Sequence, residues 1–489
     1  MTTTKTAKKF AFDVGWAFAG SIVILILHFF QKPIIARYLG PDGLGLFFMV
    51  TMITGIITVI AGVGFDNAII KYVAEYKDTK DRLHAIVSSA LITMAVFGVF
   101  ASIVLFILSD IFASVFCMPS LSFLLKIYAF VFPFSLVFGI ILGFFNGLRE
   151  MKYYALFNIL NRIMILLLIV TFLFFGFGVE GALIGDMLAL IGVVVIAAII
   201  MKKFIHIIIL DYKKNTKKLA SFGSRMMGVN SINLTQYQAD SLLIGYFLTA
   251  TDLGYYAVAV SLSRFFWRVP QSIQMVTYPA TSEYWSKGIH ESLSKMINKS
   301  MKYSACILLT IGLGTGFFAK DIITFLFGNE FIYAVLPLQI LLIGTVINGA
   351  TSRPIGGSLA GAGHPGLDLI KVSISATVNV LLNILLIPSF GIIGAAVATT
   401  ISLLMTSALG IFFIIRTLHV KIDFKWYAKA FGITFISILV FANLSGVNQY
   451  IVGCAILCVY TLLILKFLLT KEDREMLKSL IYESISKLK

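Results

Sequence analysis

Asn230, Asn233, Tyr237 and Asp240 recur at intervals of three or four residues, and so do Ser261, Arg264, Arg268, Gln271 and Met275. On a helix each set lines one face. Both sets fall in the stretch 219–284, which reads as two apolar helices carrying polar residues. A guanidinium at the centre of a bilayer costs about 2.5–3.5 kcal/mol on insertion scales, so Arg264 and Arg268 together cost about 5–7 kcal/mol unless they face protein or water. Two guanidiniums can grip phosphate oxygens through planar, bidentate hydrogen bonds and keep their charge at any working pH. The pattern therefore predicts a cationic, water-filled cavity in which Arg264 and Arg268 hold a phosphate. Asn230, Asn233, Tyr237 and Gln271 would face hydroxyl groups beside them. Counting about 1.5 Å per residue from Leu253 puts Arg264 about 16 Å deep, near the midplane. The alternative is that the arginines pair with Asp240 or another acid and only fix helix packing.

Further polar faces extend the same chemistry. Arg162 follows Asn158 by one turn with Asn161 beside it, and Lys371, Ser375, Asn379 and Asn383 recur at four-residue spacing. Both faces suit sugar hydroxyls or interhelical hydrogen bonds, the latter commonly worth about 0.6–2 kcal/mol. Arg225 and Arg37 are candidates for cavity charge near the two ends of their spans, and Arg225 can instead snorkel to lipid phosphates. Asp240, Asp186 and His28 are the groups able to carry a coupling proton or sodium ion. His28 shares a face with Gln31 and Lys32. No cofactor, catalytic residue or metal site is expected: Cys306, Cys454 and Cys458 fall in apolar stretches, and Cys117 is alone in a loop.

These residues need membrane helices to hold them. The chain is 59% hydrophobic and 13% charged, with apolar runs that repeatedly reach the roughly 20 residues needed to cross a bilayer. The expected fold is an all-α polytopic membrane protein of about fourteen spans between residues 12 and 469. The net charge of +16 would suggest nucleic acid in a soluble chain. Here the basic residues gather in alternate short gaps, at 71–82, 149–152, 202–218, 287–302 and 416–429, so the charge reports topology and places both termini in the cytoplasm. The first apolar stretch is too long for a cleaved signal peptide and is read as a span. Residues 471–489 carry apolar positions at helical spacing among lysines, as a helix lying on the inner membrane surface would.

Residues 35–47 read IARYLGPDGLGLF and 244–256 read IGYFLTATDLGYY; 177–182 read FGVEGA and 390–395 read FGIIGA. Both matches use an offset of about 210 residues, the signature of an internal repeat. Leu44 aligns with Leu253 and Gly45 with Gly254. The predicted organisation is an amino-terminal lobe over 1–215, a second lobe of like orientation over 216–418, and two further spans with the amphipathic tail over 419–489. Parallel repeats of this kind place a transporter's substrate between halves that rock. Pro133, Pro270, Pro279, Pro337 and Pro354 lie in or near spans, where they can kink helices.

The segments ARYLGPDGLGLF, LGYYAVAVSLSRFFWRVPQ and FGIIGAAVATT, in that order and spacing, resemble the polysaccharide-biosynthesis flippases of the O-antigen type, in the superfamily shared with lipid II flippases and multidrug and toxic-compound extruders. The resemblance covers roughly residues 8–420. It implies two six-helix lobes, alternating access, and passage of a polyprenyl-phosphate- or diphosphate-linked oligosaccharide across the cytoplasmic membrane, the lipid tail staying in the bilayer. It further implies partners among the pathway's glycosyltransferases or polymerase, and a monomer. Related extruders keep a coupling acid on the first helix, whereas Asp13 lies at its cytoplasmic end here. An exporter of cationic drugs should favour acidic and aromatic cavity residues, and the central face is basic. A membrane glycan polymerase or ligase needs paired acids or a nucleophile and base on an outer loop, and the outer loops are short and poor in such groups. No G-x-x-x-x-G-K-[ST] motif occurs.

Overall fold

The computed structural model describes residues 2–444, 448–468 and 475, and side chains other than those of 2–23, 25, 28 and 229–237. The tail expected over 471–489 lies outside the described residues except for Glu475.

The chain divides into two compact units. The first runs to Ala257 and takes in Leu326–Phe331. It holds α1 (Thr2–Gly62), α2 (Phe65–Tyr76), α3 (Lys80–Val115), α4 (Pro119–Tyr128), α5 (Val131–Gly147), α6 (Met151–Phe174), α7 (Gly178–Met201), α8 (Tyr212–Phe247) and the first half of α9 (Ala250–Phe265). Its core joins Phe65, Ile69 and Tyr72 of α2 with Ile86 and Met94 of α3, Phe144 and Phe145 of α5, Phe157 of α6 and Val193 of α7. The second unit begins at Val258 and resumes at Ile332. It holds α10 (Arg268–Ser286), α11 (His290–Phe317), most of α12 (Ala319–Phe327), α13 (Val335–Ala350), α14 (Ser358–Gly361), α15 (Pro365–Leu418), α16 (Phe424–Asn443) and α17 (Gln449–Leu463).

Among the described residues, eight helices are long and apolar enough to cross a membrane, or up to ten if each of two bent pairs is one span. The bends are 49° between α4 and α5 and 73° between α11 and α12. Two helices are too long for a single crossing, and each breaks at a glycine: α1 at Gly40 (φ 65°) and α15 at Gly391 (φ 59°). Only glycine adopts that left-handed backbone without strain. Gly178, which the repeat aligns with Gly391, has a φ of 57°. Helix α8 and the α9–α10 pair, which carry the polar residues at helical spacing, are not among these apolar helices. Among the described residues, α1 and α15 each divide at their glycine into two helical segments.

The helix starts at the two ends of the first repeat match touch. A Cβ on Gly45 would lie 1.8 Å from the Ala250 carbonyl oxygen, and one on Gly254 would lie 2.0 Å from the Pro41 carbonyl oxygen. Because Pro41 aligns with Ala250 and Gly45 with Gly254, this is one contact made twice, in the reciprocal manner of a two-fold interface. Thr251 Oγ1 donates to Asp42 Oδ1 across it at 3.2 Å.

Candidate functional site

Residues 253–284 do not form the single helix their spacing predicts. Pro270 lacks an N–H and its ring crowds the carbonyl four residues back, that of Phe266. The helix accordingly ends at Phe265 and restarts at Arg268 after a turn through Phe266 and Trp267. Arg264 and Arg268 thus belong to different helices. Arg264 is half-buried with Cζ 5.8 Å from the Trp267 ring centre, while Arg268 is exposed and Gln271 half-buried.

A third guanidinium of the second unit approaches the same tryptophan. Arg353 lies with Cζ 3.9 Å from the centre of the same Trp267 ring, close enough for cation–π attraction. Its backbone is a short 3₁₀ turn, Arg353–Ile355, fixed to α10 by Thr277 Oγ1 donating to the Pro354 carbonyl at 2.8 Å. Thr281 continues the seam to Ser358 at 3.3 Å. Arg264 and Arg353 thus both approach the Trp267 ring, an arrangement able to meet an anion carried beside a planar or apolar group. From the sequence Arg353 reads only as a charge at the margin of an inner gap. The signal that could have found it is an arginine directly before a proline at the end of an apolar run.

The polar face of α15 is buried within the second unit. Lys371, 7% exposed, donates to Asp368 Oδ1 at 2.7 Å. Asn379 Nδ2 donates to Thr399 Oγ1 at 3.5 Å, Asn383 Nδ2 to the Asn379 carbonyl at 2.9 Å, and Ser402 Oγ to the Ser375 carbonyl at 2.8 Å. The break at Gly391 lets the second half of α15 fold back on the first and supply Thr399 and Ser402.

In the first unit Tyr128 Oη donates to Asp186 Oδ2, and Arg162 is close enough to act electrostatically on the same carboxylate. This gathers Asp186 and Arg162 into one cluster, with Asn158 a turn away donating to the Tyr154 carbonyl at 2.8 Å. Asp240, 2% exposed, accepts from Tyr256 Oη at 2.9 Å. Arg37 is exposed and donates through Nε to the Leu326 carbonyl at 3.0 Å; Arg225 is exposed on α8. The side chains of Asn230, Asn233, Tyr237 and His28 lie outside the described residues. No cluster of three or more metal-ligating side chains occurs among the described residues.

The family profile described as "Polysaccharide biosynthesis protein" matches residues 10–285, more than half of the sequence. The chain belongs to this polysaccharide-biosynthesis family. It is 28% identical over 439 residues to the probable low-salt glycan biosynthesis flippase Agl15 of Haloferax volcanii, covering 87% of this chain and 88% of that one. Among solved structures its fold is shared with the lipid II flippase MurJ in an inward closed conformation, at a TM-score of 0.75 and 16% identity over 91% of this chain and 97% of that one. It is also shared with an inward-facing MATE multidrug transporter, at a TM-score of 0.67 and 16% identity over 82% and 98%. The family member described here is thus a multi-pass membrane protein with the all-helical fold common to MurJ and MATE transporters.

Proposed function

We propose that this polysaccharide-biosynthesis protein is a flippase that moves a polyprenyl-phosphate- or diphosphate-linked oligosaccharide across the cytoplasmic membrane by alternating access. The observation that carries the reading is the match to a probable glycan flippase along nearly the full length of both chains. The repeat of about 210 residues supplies the two like-oriented lobes that such a cycle needs, 1–215 and 216–418, with 419–489 outside it. The basic gaps place both termini on the cytoplasmic side.

Within this reading Arg264, Arg268 and Arg353 meet the phosphate, with the Trp267 ring beside Arg264 and Arg353. Arg162, Arg225 and Arg37 add positive charge along the route. Asn158, Asn230, Asn233, Tyr237, Gln271, Asn379 and Asn383 serve sugar hydroxyls. Asp240 and Asp186 are the carboxylates for a coupling ion, with His28 as a further titratable group. The lipid-linked glycan comes from glycosyltransferases of the same pathway. In cells lacking the gene, restoring the native chain should restore surface glycan, and Arg264→Gln/Arg268→Gln should not, although the variant reaches the membrane in equal amount. Normal surface glycan from that variant would defeat the phosphate-holding role.

A further inference from the structure

The segment joining α7 to α8 carries four consecutive aliphatic residues, Ile207, Ile208, Ile209 and Leu210, all exposed; Ile207 is 69% and Ile209 74% accessible. Exposed aliphatic groups are ordinary on a span, where lipid covers them. This segment differs because residues 205–209 have no regular secondary structure. Backbone N–H and C=O groups outside a helix are not tolerated against hydrocarbon, so the segment does not sit in the bilayer core.

It is nevertheless held in a defined shape. At its root Ile205 is buried and Phe204 packs edge-on to Phe145 and Tyr153, with ring centres 5.6 Å apart in each case. The Ile208 N–H donates to Ser88 Oγ at 3.0 Å, the Leu210 carbonyl accepts from Asn215 Nδ2 at 3.0 Å, and the His206 ring meets His84 at 5.8 Å. The loop is pinned from both sides with its aliphatic tip turned outward. Lys202 and Lys203 precede the tip and Lys213 and Lys214 follow it, all exposed, with Asp211 the single acid between them.

An aliphatic tip inside a ring of lysines matches the boundary between acyl chains and anionic head groups. Apolar side chains enter that boundary by a few ångströms, and ammonium groups meet lipid phosphates at the same depth. We propose that residues 202–214 form an interfacial foot that engages anionic lipid of the leaflet it faces, independently of the transported substrate. The lysines select the lipid, and Ile207 to Leu210 provide insertion. A juxtamembrane lysine close to an anionic surface strengthens attraction by about fivefold.

The test uses the full-length protein in nanodiscs of phosphatidylcholine with phosphatidylglycerol, one or the other brominated in its acyl chains near the head group. Fluorescence of Ile209→Trp is read as the difference from the parent, which keeps its 4 tryptophans. The added tryptophan should emit at blue-shifted wavelength and be quenched more strongly by brominated phosphatidylglycerol than by brominated phosphatidylcholine. Lys202→Gln and Lys203→Gln should each reduce that preference by about fivefold. Water-like, unquenched emission would overturn the proposal by placing the tip in water or against another protein. Equal quenching by the two lipids, or a preference that survives neutralisation of the lysines, would overturn the recognition of anionic lipid. Leu210→Trp provides the same readout should Ile209→Trp fail to accumulate.

Discussion

The reciprocal contact of Gly45 with Ala250 and of Gly254 with Pro41 is open to direct perturbation. In Gly45→Ala the new Cβ would start 1.8 Å from a backbone oxygen. Real Cβ atoms stay beyond 3.0 Å, so the helix starts must part by at least 1.2 Å, and neither obstructing atom is the end of a flexible side chain. Overpacking of this kind costs about 1–3 kcal/mol. If the cost falls on the state in which the helices touch, the equilibrium moves toward the parted state by roughly 5- to 150-fold, at a factor of ten per about 1.4 kcal/mol. The pair Asp42 and Thr251 spans the contact with a 3.2 Å side-chain hydrogen bond, so Asp42→Cys/Thr251→Cys should form a disulfide readily under mild oxidation. Adding Gly45→Ala or Gly254→Ala to that double variant should lower the cross-linking rate at least several-fold, and both together should lower it further. An unchanged rate in the quadruple variant, with the protein still monodisperse, would show that the crossing is not as tight as the structure has it.

Four further outcomes are expected. Arg353→Gln removes a cation–π contact at 3.9 Å from Trp267, worth about 0.5–2 kcal/mol, and should change tryptophan emission and reduce transport by more than Arg268→Gln does; equal effects would separate Arg353 from the phosphate site. In Gly223→Ala the Cβ would lie 2.3 Å from the Val63 carbonyl oxygen, so α8 must shift from the turn joining α1 to α2 and the melting temperature should fall, as a thermal scan in detergent would register. Asp423 has its carboxyl held below the ordinary 3.8 by the hydrogen bond from Lys302, with Trp426 N–H adding to it against partial desolvation. A depressed pKa contributes stability that is present above 3.8 and is lost as pH falls through the lowered value, so the melting difference between the native chain and Asp423→Asn should be visible at pH 7 and shrink progressively as pH is taken below 3.8. Asp240→Asn should change the ion dependence of transport if that carboxylate couples the cycle; a loss of thermal stability with unchanged ion dependence would assign it to its bond with Tyr256 alone.

The helical membrane architecture was legible because a bilayer imposes length and apolarity on every crossing, and the basic gaps then mark the turns. The polar stripe of α15 was legible for the same reason, since a four-residue repeat of Lys371, Ser375, Asn379 and Asn383 lies on one face of any helix. Its partner was not: Thr399 meets Asn379 only because the chain reverses at Gly391, and a positive φ leaves little trace beyond the glycine itself. The spacing of Arg264 and Arg268 predicted one continuous helix, which is interrupted at Phe266 and Trp267, and the proline's effect four residues back could have been anticipated. The approach of Arg353 to Trp267 joins residues far apart in the chain, and periodicity carries no information about such pairs. Asp186 was picked out as an embedded acid, but its hydrogen bond to Tyr128 depends on how α4 packs against α7.

The most direct test is movement of a polyprenyl-diphosphate-linked oligosaccharide across proteoliposomes containing the purified chain, followed by the fraction of glycan that becomes accessible to an external glycosidase. The native protein should accelerate that movement well above protein-free vesicles, and Arg264→Gln/Arg268→Gln should return it to the protein-free rate. A native rate equal to that of empty vesicles, across applied proton and sodium gradients, would contradict the assignment of this chain as a glycolipid flippase.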